Sequence, residues 1–356
     1  MKKILLASTM LVSVAGFAAA DVSVSGSARM GIVNDGADSQ FSSRIRINFA
    51  GSGTTDGGLA FGASIRADNS VDGAAGDAGS VFISGAFGKI AMGDVDSGDA
   101  ATVGQLDGGV GYTGLGSLNS VSYAADGGFS LDDTFGGDTL KGGDPEHAVY
   151  IGNATSAKVL YTYSAGGLTV AASSAQIAAS EDYDLTSYGV GASYTTGGLT
   201  AAVGYGSSDL TVGVDLPGSS YDYIGGEGSV TDLTASVGYV MGDTTVKAIY
   251  QDKQLDVTSI EDGDISGSAV SMGASVKHKL DAVSLTAYAR STKYEGNMYE
   301  GESLTTTNYG IGASYDLGGG ASVAAGWVSN EHVGLVDNHI VVLGQDEYDV
   351  GVNFSF

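Results

Sequence analysis

The chain has 356 residues with 58 Gly, 2 Pro and no Cys, and its 41 acidic residues outweigh 15 Lys and Arg to give a formal charge of -26. The lack of Cys excludes disulfide frameworks, zinc clusters and thiol nucleophiles, and the negative balance disfavours nucleic acid as a partner, because phosphate binding needs a basic footprint. After the N-terminus no apolar run approaches the roughly 18 residues of a membrane helix, so any membrane span must be a strand; the regular return of Tyr, Val, Ile, Leu and Phe argues against disorder.

Residues 1–20 carry Lys2 and Lys3, an apolar stretch from Ile4 to Phe17 and a small-residue ending at Ala18 and Ala20. This is the pattern of a secretory signal peptide, with cleavage expected after Ala20. Removing the two lysines takes the formal charge from -26 to -28 and leaves one expected domain, 21–356. Period-two alternation begins at once. Val22, Val24, Ala28, Met30 and Ile32 share one face and Ser23, Ser25, Ser27 and Arg29 the other, which predicts a first strand over Val22 to Val33. A second runs from Phe41 to Phe49, with Ile45 and Ile47 opposite Arg44, Arg46 and Asn48. A third follows a Gly51 to Gly58 turn, with Leu59, Phe61, Ala63 and Ile65 against Ser64 and Arg66. Strands four and five, Ser80 to Phe87 and Lys89 to Val95, meet at Gly88.

Residues 96–156 will not read as strand. Loops longer than about 15 residues are uncommon in compact domains and are usually functional. This one is acidic, with Asp96, Asp99 and Asp107 near its start. Its Gly-Tyr-Thr-Gly-Leu-Gly stretch, Gly111 to Gly116, resembles part of the third loop of Rhodobacter-type porins. That resemblance implies a loop that folds into the barrel after strand five and narrows it.

Alternation returns at Val159, Tyr161 and Tyr163, and an internal repeat follows. Tyr188 to Thr200 reads Y-G-V-G-A-S-Y-T-T-G-G-L-T and Tyr309 to Tyr315 reads Y-G-I-G-A-S-Y, each a strand leading into a Gly-rich turn. Taken as hairpins, strands six to sixteen fall near Val159, Leu168, Tyr188, Leu199, Leu233, Val246, Val270, Val283, Tyr309, Val323 and Tyr348. An even count of sixteen antiparallel strands, with short Gly turns at one end and long acidic loops at the other (207–228, 252–267, 329–346), predicts an all-β transmembrane barrel. Tyr188, Tyr194, Tyr205, Tyr239, Tyr250, Tyr309 and Tyr315 are read as lying at strand ends, in two interfacial girdles.

The last strand, Tyr348 to Phe356, alternates Tyr348, Val350, Val352, Phe354 and Phe356 with small or polar residues. It ends on a bare aromatic, and here the chain resembles the outer-membrane porins of Gram-negative bacteria. The resemblance implies that Phe356 closes the barrel and is read by the assembly machinery. It further implies a homotrimer in the lipid bilayer of the outer membrane, passing ions and small hydrophilic solutes, with no enzymatic step and no cofactor. Small outward residues, Ala28, Ala63 and Ala67, would let barrel walls approach. The first strand, over Val22 to Met30, is expected to pair with the last, bringing Asp21 near the Phe356 carboxylate. An adhesin or ligand-binding barrel acting through the long acidic loops is the competing reading.

Four of the five arginines, Arg29, Arg44, Arg46 and Arg66, fall on the polar face of the first three strands. Counted from Val22, Gly51 and Leu59, Arg29, Arg44 and Arg66 each lie seven residues up, about 17 Å above the short turns. If the loop folds inward, Asp96, Asp99 and Asp107 would face this basic wall across the constriction, and the acid excess predicts weak cation selectivity. Gly109, Gly111 and Gly114 match a dinucleotide fingerprint by spacing, but neither follow a strand nor open a helix. Glu181, Asp182 and Asp184, or Glu261, Asp262 and Asp264, have the composition of a loop calcium site or of solvated loop charge. The four histidines, His147, His278, His332 and His339, share no metal-binding spacing.

Overall fold

Alternating side chains bury one face of a strand and expose the other, and here the apolar face is the exposed one. The computed structural model describes residues 21–69, 75–126, 158–180, 183–214, 224–259, 264–297, 302–336 and 339–356. The expected signal segment 1–20, residues 127–157 of the long loop, and Glu181, Asp182, Glu261, Asp262 and His147 lie outside them.

The first five strands are β1 (Asp21–Asn34), β2 (Ser39–Thr54), β3 (Ala60–Asp68), β4 (Ala75–Gly85) and β5 (Gly88–Gly93). A short helix, α1 (Gly98–Val103), follows. Then come β6 (Lys158–Ala165), β7 (Leu168–Ser180), β8 (Tyr183–Thr196), β9 (Leu199–Val214), β10 (Ile224–Met241) and β11 (Thr244–Ser259). The last five are β12 (Ile265–Leu280), β13 (Val283–Gly296), β14 (Leu304–Gly318), β15 (Ala321–Val336) and β16 (His339–Ser355). All sixteen pair antiparallel with their sequence neighbours, and β1 pairs with β16 to close the barrel. No described helix is long and apolar enough to cross a membrane.

The sixteen predicted strands are all present, but three details differ. The turn between β2 and β3 is Thr55 to Leu59, because Gly51, Ser52 and Gly53 stay in the ladder opposite Ala63, Gly62 and Phe61. Residues 207–228, 252–267 and 329–346 are largely strand: β9 runs to Val214, β11 to Ser259 and β15 to Val336. Hydrophobic alternation fades there because both faces leave the lipid, while backbone pairing continues. For the same reason Tyr188, Tyr205, Tyr250 and Tyr309 lie within strands instead of at their ends. Tyr194, Tyr239 and Tyr315 sit two or three residues from the short turns. All seven are exposed on the outer wall, forming two levels of aromatics.

Closure also differs in register. β1 pairs with β16 from Ser27↔Ser355 to Asn34↔Tyr348. Gly26 and Phe356 exchange backbone hydrogen bonds of 2.7 and 3.0 Å. Val22 to Ser25 therefore pair only with β2, and Asp21 lies five residues, about 16 Å of strand, beyond the Phe356 level. The Phe356 ring packs over Gly26, where any Cβ would strike it.

Candidate functional site

Exposed Val190, Tyr205, Leu233 and Tyr250 point outward, so the residues alternating with them face the lumen. Residues 97–126 lie against that inner face. The path begins at α1, whose Gly98 packs on Ala172 of β7 and Gly189 of β8, and whose Asp99 packs on Gly204 of β9. The Val103 carbonyl accepts from Ser236 Oγ at 3.0 Å and from Lys247 Nζ at 2.9 Å. Leu106 then meets Gly273, Gly108 meets Tyr288, Val110 meets Gly312, and Gly111 meets Gly326. The segment has thus crossed β7 to β15 and reaches the closing seam.

At the seam Asp349 of β16, 2% exposed, holds the tip. It accepts from Tyr112 N at 3.1 Å, Thr113 N at 2.7 Å and Thr113 Oγ1 at 2.5 Å. Across the seam, Arg29 Nη1 of β1 donates to the Thr113 carbonyl at 2.9 Å, with the guanidinium 6.0 Å from the Tyr112 ring centre. The chain then turns back. Arg290 Nε donates to the Leu118 carbonyl at 3.0 Å, and Gln251 Nε2 and Lys253 Nζ reach Ser122 at 3.0 and 2.7 Å. Asp232 accepts from Ala124 N at 3.0 Å. Lys158 binds Asp126 at 2.7 Å, and Asp126 caps Ser97 N at 2.8 Å, where the path began. The two arms are stitched by Gln105, which both donates to and accepts from Val121 at 2.7 Å, and by Asn119 Nδ2 to the Leu106 carbonyl at 2.7 Å. The result is a doubled strap along one side of the lumen. Its apolar side chains, Val103, Leu106, Val121 and Tyr123, bury against Ala202 and Ile249.

The strap fits because the wall beneath it lacks side chains. A Cβ on Gly204 would stand 2.6 Å from the Asp99 Cβ, and one on Gly326 2.6 Å from the Gly111 Cα. Such distances are closer than real atoms tolerate, so these positions admit only Gly while the strap is docked.

The basic wall is opposite in character. Arg29 and Arg44 stand directly across the β1–β2 ladder. Arg46 is ion-paired with Asp68 at 2.8 Å, and Arg66 stands opposite Asn48. Arg66 is therefore four residues down the ladder from Arg44, not level with it, because β2 runs on to Thr54. Arg44 and Arg66 make no ion pair among the described residues.

The acidic partners divide. Asp99 does not face the arginines: its carboxylate is fully buried against Gly189 and Gly206, on the far wall. Burial pushes its carboxyl up to about 6, and the charge of Asp232 adds to the rise; among the described residues neither carboxylate oxygen has a hydrogen-bond partner. Asp96 stands beside Asp126 and Lys158, where partial desolvation by the surrounding chain, then the Asp126 charge, raises its carboxyl above the ordinary range. Asp107 is exposed on the lower arm between Leu106 and Gly108, close enough to Lys247 to interact with it. Composition had flagged these acids but could not separate a buried one from an exposed one. The residues that hold the strap, Asp349, Asp232, Gln251, Lys253 and Arg290, were not singled out. Their signal was a charged or amide side chain on the lumen side of an otherwise small-residue strand.

Above the strap the same wall is apolar inside. Leu185, Leu210, Val230, Leu255 and Ala269, from five successive strands, bury together with Ala124 and Val333. Val333 belongs to the upper β15–β16 hairpin, which leaves the sheet: β14 pairs with β15 only up to Ser329, and β1 with β16 only up to Tyr348. The hairpin leans on β14, where Thr307 N donates to Glu331 Oε2 at 2.6 Å and Glu331 N to Asn308 Oδ1 at 2.7 Å. No group of three or more His, Cys, Asp or Glu gathers as a metal site among the described residues.

A profile described as Gram-negative porin matches residues 7–334. The chain is 35% identical to a porin of Rhodobacter capsulatus over 341 residues, covering 94% of this chain and all of the relative. A solved porin structure superimposes with a TM-score of 0.66 at 30% identity, over 94% of this chain and all of that one. The trimer form of OmpT from Vibrio cholerae shares the fold, with a TM-score of 0.65 at 18% identity over 95% of this chain and all of that one.

Proposed function

Because the chain belongs to the Gram-negative porin family, a family of outer-membrane channels, we propose that it is a trimeric general-diffusion channel, weakly cation-selective, for ions and small hydrophilic solutes. The observation that carries this reading is the strap: a closed barrel whose lumen is narrowed, among the described residues, from the β7 to β16 side. There the field is transverse. Arg44 and Arg66 line one side and Asp107 stands exposed on the other, so dipolar solutes are oriented as they pass. The overall charge of -26, or -28 once residues 1–20 are removed after Ala20, enriches cations at the mouths and supports the selectivity. The solved trimeric form of a fold relative supports the assembly, and Phe356, hydrogen-bonded to Gly26, is the closure and assembly residue.

Reconstitution of the purified protein into a planar bilayer tests this reading. Stepwise ohmic conductance with a small reversal potential of cationic sign in a salt gradient is expected. A barrel without conductance, as an adhesin would be, overturns it.

A further inference from the structure

The outer wall between β12 and β15 is hollowed. Side chains at Ala287, Ala313 and Ala325 end at Cβ, while Trp327, Ile311 and Leu285 stand around them and enclose a groove of about 590 Å³. That volume lies within the roughly 300–1,000 Å³ of sites that bury small ligands. The lining is apolar except for His278 and Thr286. His278 heads the row His278, Leu285, Ala313, Ala325 that runs across four strands. Its Nδ1 is 2.8 Å from Thr244 Oγ1, which fixes the ring and leaves Nε2 for another partner. Where the Thr244 hydroxyl donates to Nδ1, Nε2 carries the proton and is a donor.

Height identifies what can reach it. His278 is two residues above the end of β12 and Trp327 six above the start of β15. At a tilt near 40° the groove runs from about 5 to about 15 Å above the short turns, from the lower part of an apolar band about 25 Å tall to just past its middle. Short turns face the periplasm in such barrels, so the groove belongs to the periplasmic leaflet. Around His278 the charge is mixed: Asp243 precedes its partner Thr244, and Asp281 lies in the next turn, which Lys279 N ties to the Asp243 carbonyl at 2.9 Å. Lys277 and Lys279 alternate with His278 and stand on the other face of β12.

We propose that this groove is a specific site for a zwitterionic phospholipid of the periplasmic leaflet. One acyl chain lies over Ala287, Ala313 and Ala325 beneath Trp327, the phosphate accepts from His278 Nε2, and the ammonium meets Asp243 and Asp281. Concavity argues against a second copy as occupant, since a barrel wall is convex and cannot fill it.

Native mass spectrometry of protein extracted in mild detergent, titrated with phosphatidylethanolamine, phosphatidylglycerol or diacylglycerol of matched chains, tests the proposal. One phosphatidylethanolamine per chain is expected. Ala313→Phe should weaken its retention by at least about tenfold and His278→Ala by about fivefold, the latter sparing diacylglycerol, with single-channel conductance unchanged throughout. Ala325→Leu narrows the same floor and stands in if Ala313→Phe fails to form a barrel. Equal retention by wild type and the floor variants, equal affinity for diacylglycerol, a preference for phosphatidylglycerol, or cross-links placing a second copy over Ala313 would each overturn it.

Discussion

The two sides of the lumen solve opposite problems with opposite residues. Along β7 to β16 glycines open the inward face and the chain's own backbone occupies the space they vacate, pinned by a few large polar side chains; on β2 and β3 that face carries Arg44, Arg46 and Arg66. A narrow channel therefore needs no narrower barrel. Sixteen strands enclose a lumen wide enough for water, and a strap pinned to one side sets the aperture. The lesson is that glycine placement in the wall is as much a determinant of the pore as charge placement in it.

Restoring side chains to the glycine wall should break this division most severely. Gly326→Leu meets the backbone of Val110 and Gly111, which cannot swing aside as a side chain could. Strap displacement and a roughly twofold or greater rise in single-channel conductance are expected, with the barrel still resistant to unheated detergent. Asp349→Ala is the next largest. It removes an acceptor of three hydrogen bonds at a buried position and should weaken tip docking by about 4 kcal/mol, read as channel noise and as lost amide protection in residues 111–114.

Acid sharpens the comparison from the other direction. Asp99 holds its proton up to about pH 6 when the strap is docked and would titrate near 3.8 if released. The docked state thus binds the extra proton, so docking is tightest below pH 4 and weakens as pH rises through 6, by up to roughly 3 kcal/mol. Hydrogen exchange of residues 97–126 should be slower at pH 4 than at pH 7.5, and Asp99→Asn should flatten that difference. On the bare wall the effects are smaller and electrical. Arg44→Ala with Arg66→Ala should raise cation preference and modestly raise conductance without altering strap protection; Arg29 is excluded from this pair because it grips Thr113. An unchanged reversal potential would place the constriction elsewhere. Arg46→Gln has no electrical readout of this size, but it takes the ion pair from Asp68, whose side chain is 2% exposed, and should cost about 1–3 kcal/mol in thermal stability.

Much of the barrel was legible because lipid imposes a strict period of two, and the Val22 to Ile32 and Tyr348 to Phe356 patterns needed no tertiary information. Strand ends were less legible, since outside the lipid nothing enforces alternation; β11 continues through Asp252 and Asp256 although its sequence there reads as loop. The arginine heights failed for a related reason: glycines at Gly51 and Gly53 resemble a turn but belong to β2. The strap was foreshadowed by length and by the Gly111 to Gly116 stretch, yet its docking track was in view as well. Gly189 with Gly191, and Gly310 with Gly312, place the repeat's glycines two apart, on one face. Inside a strand they break no alternation, so the period of two passes over a surface made for backbone.

The position of the strap's tip has a consequence for the order in which the molecule comes together. Tyr112 lies against Gly31 of β1 and Gly351 of β16, and Thr113 is held from both strands. Those strands are the two ends of the chain, and their pairing has the largest sequence separation in the barrel, which makes it slow to form because so much chain entropy is lost before any contact is gained. The tip cannot complete its bonds until that late event has happened. Docking of the strap and closure of the wall are then one kinetic step, and a half-built barrel carries no finished aperture.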